Sequence, residues 1–113
     1  MRRSGPLRRR TALGGRSDRG QTYHTEYMAA SHQVHHRSGG RCEIRAVHQC
    51  LGHATEFPHH RKLRSQGGSN SLVNLLDCCA NGHYWIHRVL PRAEAERLQL
   101  LIPRETPEYP YRP

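Results

Sequence analysis

At 113 residues, 35% of them hydrophobic and with one Trp and one Phe, the chain is a single domain at most. It is too poor in apolar bulk for a large core, so a bound metal is expected to help it fold. A formal charge of +9 and a pI near 10.3 favour a polyanionic partner, nucleic acid above all; no apolar run approaches the roughly 18 residues that span a bilayer, and the amino terminus lacks a signal peptide's apolar stretch, so a cytoplasmic protein with no membrane partner is expected.

Residues 1–20 carry Arg2, Arg3, Arg8, Arg9, Arg10, Arg16 and Arg19 against Asp18 alone, among glycines and a proline. Such a segment buries too little apolar surface to order itself and is expected to be a disordered basic arm holding about two thirds of the net charge. A folded domain is expected over 21–102, with its core motif at 42–90. It opens with a helix over 21–36, where Tyr23, Tyr27, Met28 and Val34 have a loose helical spacing and Ser38-Gly39-Gly40 supplies a stop. Short strands are expected at 42–47 and 54–57, joined by a turn through Leu51-Gly52-His53. Gln66-Gly67-Gly68-Ser69-Asn70 predicts a loop, because two glycines and an asparagine tolerate positive φ.

Residues 72–76 form an apolar run suited to a buried strand. A helix is expected over 81–90, halted by Pro91, and a second over 92–100; the four prolines from Pro103 onward predict an extended tail over 103–113.

The informative residues are nested in this second half: His59-His60, Asn74, His83 and His87. Two imidazoles at i and i+4 share a helix face and can serve one divalent ion, with His59 the natural third ligand. On an extended chain His60 then faces away from His59, stays unligated and is suited to taking a proton from water. Asn74, whose amide both donates and accepts, is suited to tying the loop so that the His59-His60 strand keeps register with the helix. Ten histidines make adjacent pairs easily, and His35-His36 is one without any of the rest. The complete set is far less expected by chance.

Those residues carry a family resemblance. Pro58-His59-His60-Arg61-Lys62-Leu63-Arg64-Ser65-Gln66-Gly67-Gly68, then Asn74-Leu75-Leu76, then Gly82-His83-Tyr84-Trp85-Ile86-His87, resemble the HNH endonuclease motif of the ββα-metal (His-Me finger) fold. The nuclease-type colicins have a similar order of His-His, Asn and His-x3-His. Arg37-Ser38-Gly39-Gly40-Arg41-Cys42-Glu43 resembles the entry to the family's zinc-knuckle branch, common in bacteriophage genomes, so the likeness covers about residues 37–90. The resemblance implies an α+β domain in which a β-hairpin runs through His59-His60 and Asn74 into a helix bearing His83 and His87. It implies His59, His83 and His87 as ligands of one catalytic divalent ion (Mg, Mn, Zn, Ni or Co), His60 as general base and Asn74 as the loop-fixing residue. The activity implied is hydrolysis of DNA phosphodiesters, nicking or cutting both strands, in a bacterial or phage-infected cell beside phage packaging or other DNA-processing proteins.

The cysteines depart from the pattern. Relatives with a structural zinc carry two Cys-x2-Cys-like pairs, whereas here seven residues separate Cys42 from Cys50, and Gly82 stands where the partner of Cys79 belongs. A structural zinc on Cys42, Cys50 and Cys79 therefore needs a fourth ligand from Cys78, His48 or His53; the alternative is buried reduced thiols that merely pack. Arg61, Lys62, Arg64 and Arg88 are expected to neutralise phosphates beside the scissile one. The competing reading is a zinc-stabilised module that holds DNA for a larger complex without cutting it, and a third, weaker one takes RNA as the substrate in place of DNA.

Overall fold

The computed structural model describes residues 18–113, so the expected arm lies outside the described residues except for its last three, which are helical. Helix α1 runs over Asp18–Ser38, longer at both ends than its spacing predicts. Tyr23, Tyr27, Ala30 and Val34 follow at helical intervals and form one stripe, of which Ala30 and Val34 bury against Leu75 with Tyr27 beside them. The helix stops where Gly39 and Gly40 take φ of 66° and 80°, and His35, His36 and Arg37 in its last turn complement its negative end. Asp77, fully buried, fastens that end to the body: its carboxylate accepts from His35 Nδ1 at 2.7 Å and from Ser38 Oγ at 2.5 Å.

The strands expected at 42–47 and 54–57 do not form. One isolated bridge, Arg41 to His53, is all the pairing there. The N–H groups of these segments go to scattered carbonyls, Glu43 N to Asp77 O at 2.8 Å, Ala54 N to Gly40 O at 2.8 Å and Thr55 N to Cys78 O at 3.2 Å, while in the turn between them Leu51 N donates to Cys79 Sγ at 3.5 Å and Gly52 N to Cys50 Sγ at 3.2 Å. The sheet is a two-stranded antiparallel hairpin of β1 (His59–His60) and β2 (Leu75–Leu76), with His59 opposite Leu76 and His60 opposite Leu75. The strand expected over 72–76 shrinks to its last two residues because 72–74 turn, with Asn74 N donating to Ser71 O at 2.9 Å. Successive side chains of a strand face opposite ways. Leu75 and His60 accordingly face α1, while Leu76 packs with Ile44, Cys78, Ile86, Leu100 and Leu101 in the main core.

Helix α2 (Ala80–Tyr84) begins at Cys79, whose sulfur accepts from Gly82 N at 3.2 Å, and widens into a π-turn over Trp85–Val89 closed by Leu90 N to Trp85 O at 2.9 Å. Helix α3 (Arg92–Arg97) ends short of residue 100 because Gln99 turns left-handed, at φ 65°, sending Leu100, Leu101 and Ile102 into the core. None of the described helices is long and apolar enough to cross a membrane.

The tail from Pro103 does not stand away from the body but straps across it. Ser69 donates from N and Oγ to the Glu108 carboxylate, Arg45 N donates to the Tyr111 hydroxyl, and Gln99 and Arg112 exchange two hydrogen bonds. Arg61 is the post for this strap. It is wholly buried, donates to the carbonyls of Gln99, Val73 and Tyr109, and lies 4.7 Å and 5.4 Å from the ring centres of Tyr109 and Tyr111. This corrects the expectation that Arg61 meets phosphate; Lys62 is drawn in the same way, donating to Thr106 O at 2.8 Å. Because an ammonium lacks the guanidinium fork, Arg61→Lys is expected to cost about 3 kcal/mol in urea denaturation, from charge-assisted bonds it cannot remake. An unchanged midpoint would show that the strap adds no stability.

Candidate metal centres

Two groups of side chains converge, and α2 serves both. In the first, Cys42, His48, Cys50 and Cys79 bring one donor atom each within 4.8 Å of one another, a set that can hold a metal ion. His48 Nε2 lies 3.8 Å from both Cys42 Sγ and Cys79 Sγ. The edge of a zinc tetrahedron between nitrogen and sulfur is about 3.6 Å, so these spacings fit such an ion. His48 Nδ1 donates to Ala46 O at 2.6 Å, which fixes the tautomer with Nε2 free to ligate. Burial alone would raise the Cys79 thiol, but N–H bonds from Leu51 and Gly82 and contacts with His48 and Cys42 outweigh it and bring the pKa down to about 6. The thiolate form a metal requires is thus the favoured one at neutral pH.

Of the three candidates for the fourth place, the structure brings His48 to the cluster and leaves out Cys78 and His53. Cys78 is wholly buried in the main core, where burial pushes its thiol up to about 12. His48 fits because of Gly82. A Cβ there would come within 2.7 Å of Ile44 Cδ1 and 3.1 Å of His48 Nε2, so the hydrogen at this position is what admits the imidazole. Gly82→Ala is expected to push His48 aside and cost about 1–3 kcal/mol, as overpacking does. Thermal melts with and without zinc measure it, and an undiminished zinc-dependent shift would show that the imidazole is dispensable.

The second group is His59, His83 and His87, whose donor atoms also lie within 4.8 Å of one another. His59 is held at one end by Leu100 O, 2.8 Å from Nε2, which leaves Nδ1 facing His87 Nε2 at 3.3 Å. Two imidazole nitrogens on a tetrahedral ion stand roughly 3.3 Å apart, so this spacing fits a shared cation. The site keeps its lone pairs available: burial lowers the His59 pKa to about 3, and burial followed by the charges of His83 and Arg88 lowers that of His87. Glu56 stands 3.8 Å from His83 Nδ1 and adds a carboxylate beside the three imidazoles.

His60 lies on the opposite face of β1. Asn70 Oδ1 accepts from its Nε2 at 2.9 Å, the Tyr23 hydroxyl is 3.3 Å from the same nitrogen, and its ring stacks on Tyr27 with centres 5.3 Å apart. Its Nδ1 has no partner among the described residues. Asn74, wholly buried, ties the intervening loop with three bonds: Nδ2 donates to Lys62 O and Ser69 O, and Oδ1 accepts from Lys62 N at 2.7 Å. The same loop needs a glycine at 68, where a Cβ would fall 1.8 Å from Lys62 O. All four histidines line one cavity of about 390 Å³ with Glu56 and Arg64, and Arg88 lines an adjoining hollow. A larger hollow of about 610 Å³, among Arg37, Arg41, Arg45, Leu72 and Tyr111, contains none of these histidines.

Arg64 and Arg88 are exposed beside the histidines, unlike Arg61 and Lys62, although the Arg64 guanidinium stacks 3.6 Å from the centre of the Tyr23 ring. Asn70, Tyr23, Tyr27 and Glu56 carry no motif; Asn70 registers in the sequence only as a turn residue, and the tyrosines only as a helix stripe. No family model, no curated protein and no solved structure matches this chain.

Proposed function

We propose that the chain is a metal-dependent DNA endonuclease of the HNH type, with the hairpin and α2 acting as a ββα-metal unit. One observation carries the reading: three imidazoles share a cation-sized space while a fourth, on the other face of the same strand, lines the same cavity with Nδ1 unengaged. His59, His83 and His87 would hold one divalent ion, Mg, Mn, Zn, Ni or Co, which when bound supplies positive charge to the phosphate and to the departing oxygen. His60 takes the proton from the attacking water at Nδ1, while Asn70 Oδ1 holds the opposite nitrogen and so stabilises the imidazolium that forms. The stacked Tyr27 ring fixes the imidazole plane, and burial, which pushes the Tyr27 phenol up to about 12, keeps its hydroxyl a neutral donor to Pro58 O at 2.8 Å. Asn74 keeps the two faces of the hairpin in register, and Arg64 and Arg88 are the side chains suited to neighbouring phosphates.

The test is conversion of supercoiled plasmid to open-circular or linear forms across that panel of ions. Cleavage that stops with chelator and returns with metal supports the reading. A second reading, a zinc-stabilised DNA-binding module of a larger complex, is favoured by the complete Cys3His set, which suits a metal that stabilises the fold without reacting. It predicts gel retardation with no cleavage under any ion, and competition between matched DNA and RNA duplexes identifies the preferred nucleic acid.

A further inference from the structure

The chain has one Phe, and the fold leaves it outside: Phe57 is 61% exposed in a protein short of apolar residues. Burying such a ring is worth roughly 1.5–3 kcal/mol, so its place at the surface gives up stability the small core could use. It sits at the mouth of the cavity holding His59, His60, His83 and His87. It is also held in place: the Tyr27 ring lies 6.1 Å away at 47°, and the next residue, Pro58, is buried with its carbonyl bonded to the Tyr27 hydroxyl. Tyr84, on α2, is 64% exposed and is the one tyrosine of five without a partner among the described residues. It lines the adjoining hollow of about 370 Å³, which shares Glu56, His83 and His87 with the first. Two exposed aromatic rings, Phe57 held against Tyr27 and Tyr84 on α2, thus line the two hollows that share His83 and His87, with Arg64 lining the first and Arg88 the second.

We propose that Phe57 and Tyr84 form a stacking subsite for unpaired nucleobases flanking the scissile phosphate, so that the preferred substrate is locally opened or single-stranded DNA. The inference rests on the nuclease reading and names its substrate class. In a paired duplex each base face is covered by its neighbours, and a ring at the phosphate reaches a face only after a base leaves the stack at a cost of a few kcal/mol. A bubble, a mismatch or a single strand has already met that cost, and an aromatic side chain accepts any base because every base has a π-face.

Cleavage rates on a synthetic duplex, the same duplex with a central mismatched bubble and the corresponding single strand test this in the full-length chain. Binding is read separately, with zinc-loaded His60→Ala protein and a single strand carrying 2-aminopurine. The wild type is expected to cleave opened DNA about ten-fold faster than paired DNA, a ratio that falls toward one in Phe57→Ala and returns in Phe57→Trp, with a smaller fall in Tyr84→Ala. Stacking is expected to quench the 2-aminopurine, and Phe57→Ala to relieve the quenching. Equal wild-type rates on paired and opened DNA, or a ratio indifferent to both rings, overturn the inference and leave the nuclease reading standing. Quenching that depends on Phe57 without cleavage of any DNA upholds the subsite and removes the hydrolytic reading. Neither cleavage nor quenching removes both.

Discussion

Replacing His60 with alanine is expected to slow plasmid cleavage by roughly 10²- to 10⁴-fold, the contribution of a positioned general base, while metal content and DNA retention on a gel stay as in the wild type. The expectation follows from the split between neighbouring residues. His59 is buried with Nε2 tied to Leu100 O, and His60 faces the other way against Tyr27 with Asn70 on its Nε2. Loss of His60 therefore removes the proposed proton acceptor without removing a donor from the His59, His83 and His87 set. Cleavage at an undiminished rate would take His60 out of the mechanism. Loss of bound metal together with activity would instead show that His60 is a ligand.

Cys79→Ala is expected to have the largest effect on folding. The sulfur belongs to the four-donor cluster, accepts N–H bonds from Leu51 and Gly82, and caps the helix that carries His83 and His87. Structural zinc contributes on the order of 10–16 kcal/mol of apparent binding energy in small domains, as much as or more than the roughly 5–15 kcal/mol by which a native domain is stable. The variant is expected to lose one of two bound equivalents of metal by elemental analysis and its cooperative thermal transition by circular dichroism. Cys78→Ala, which removes a buried thiol outside the cluster, is expected to keep both equivalents and to cost about 1–2 kcal/mol. Should Cys79→Ala melt like the wild type with its metal intact, the cysteines only pack.

Much of the hairpin and of the placing of its histidines is legible without coordinates because the signals are local. The alternation of a strand separates His59 from His60, and four-residue spacing on a helix puts the rings of His83 and His87 within 4.7 Å of each other. Pro91 stops the second helix, and the amide of Asn74 lies between the ends of the loop it ties. The same local signals mislead where tertiary demands are stronger. The segments at 42–47 and 54–57 read as strands, yet their N–H groups bond to Asp77, Gly40 and Cys78 carbonyls instead of to each other in a ladder, and residues 72–74 turn so that Asn74 can reach the loop.

By itself the sequence determined which residue types are available and their spacing along the chain: His59, His83 and His87 as three imidazoles able to converge, His60 beside the first, and three cysteines in want of a partner. Only the tertiary structure decided who that partner is: His48 enters through the space left by the missing Cβ of Gly82, 34 positions away in the chain, while Cys78 is buried in the main core. It likewise decided that Arg61 holds a strap while Arg64 and Arg88 stay outside, and that Asn70 and Tyr23 meet on one nitrogen of His60. Charge and motif are properties of the chain, but burial and the identity of a neighbour arise only when distant segments pack, and those two quantities turn a list of donors into a site.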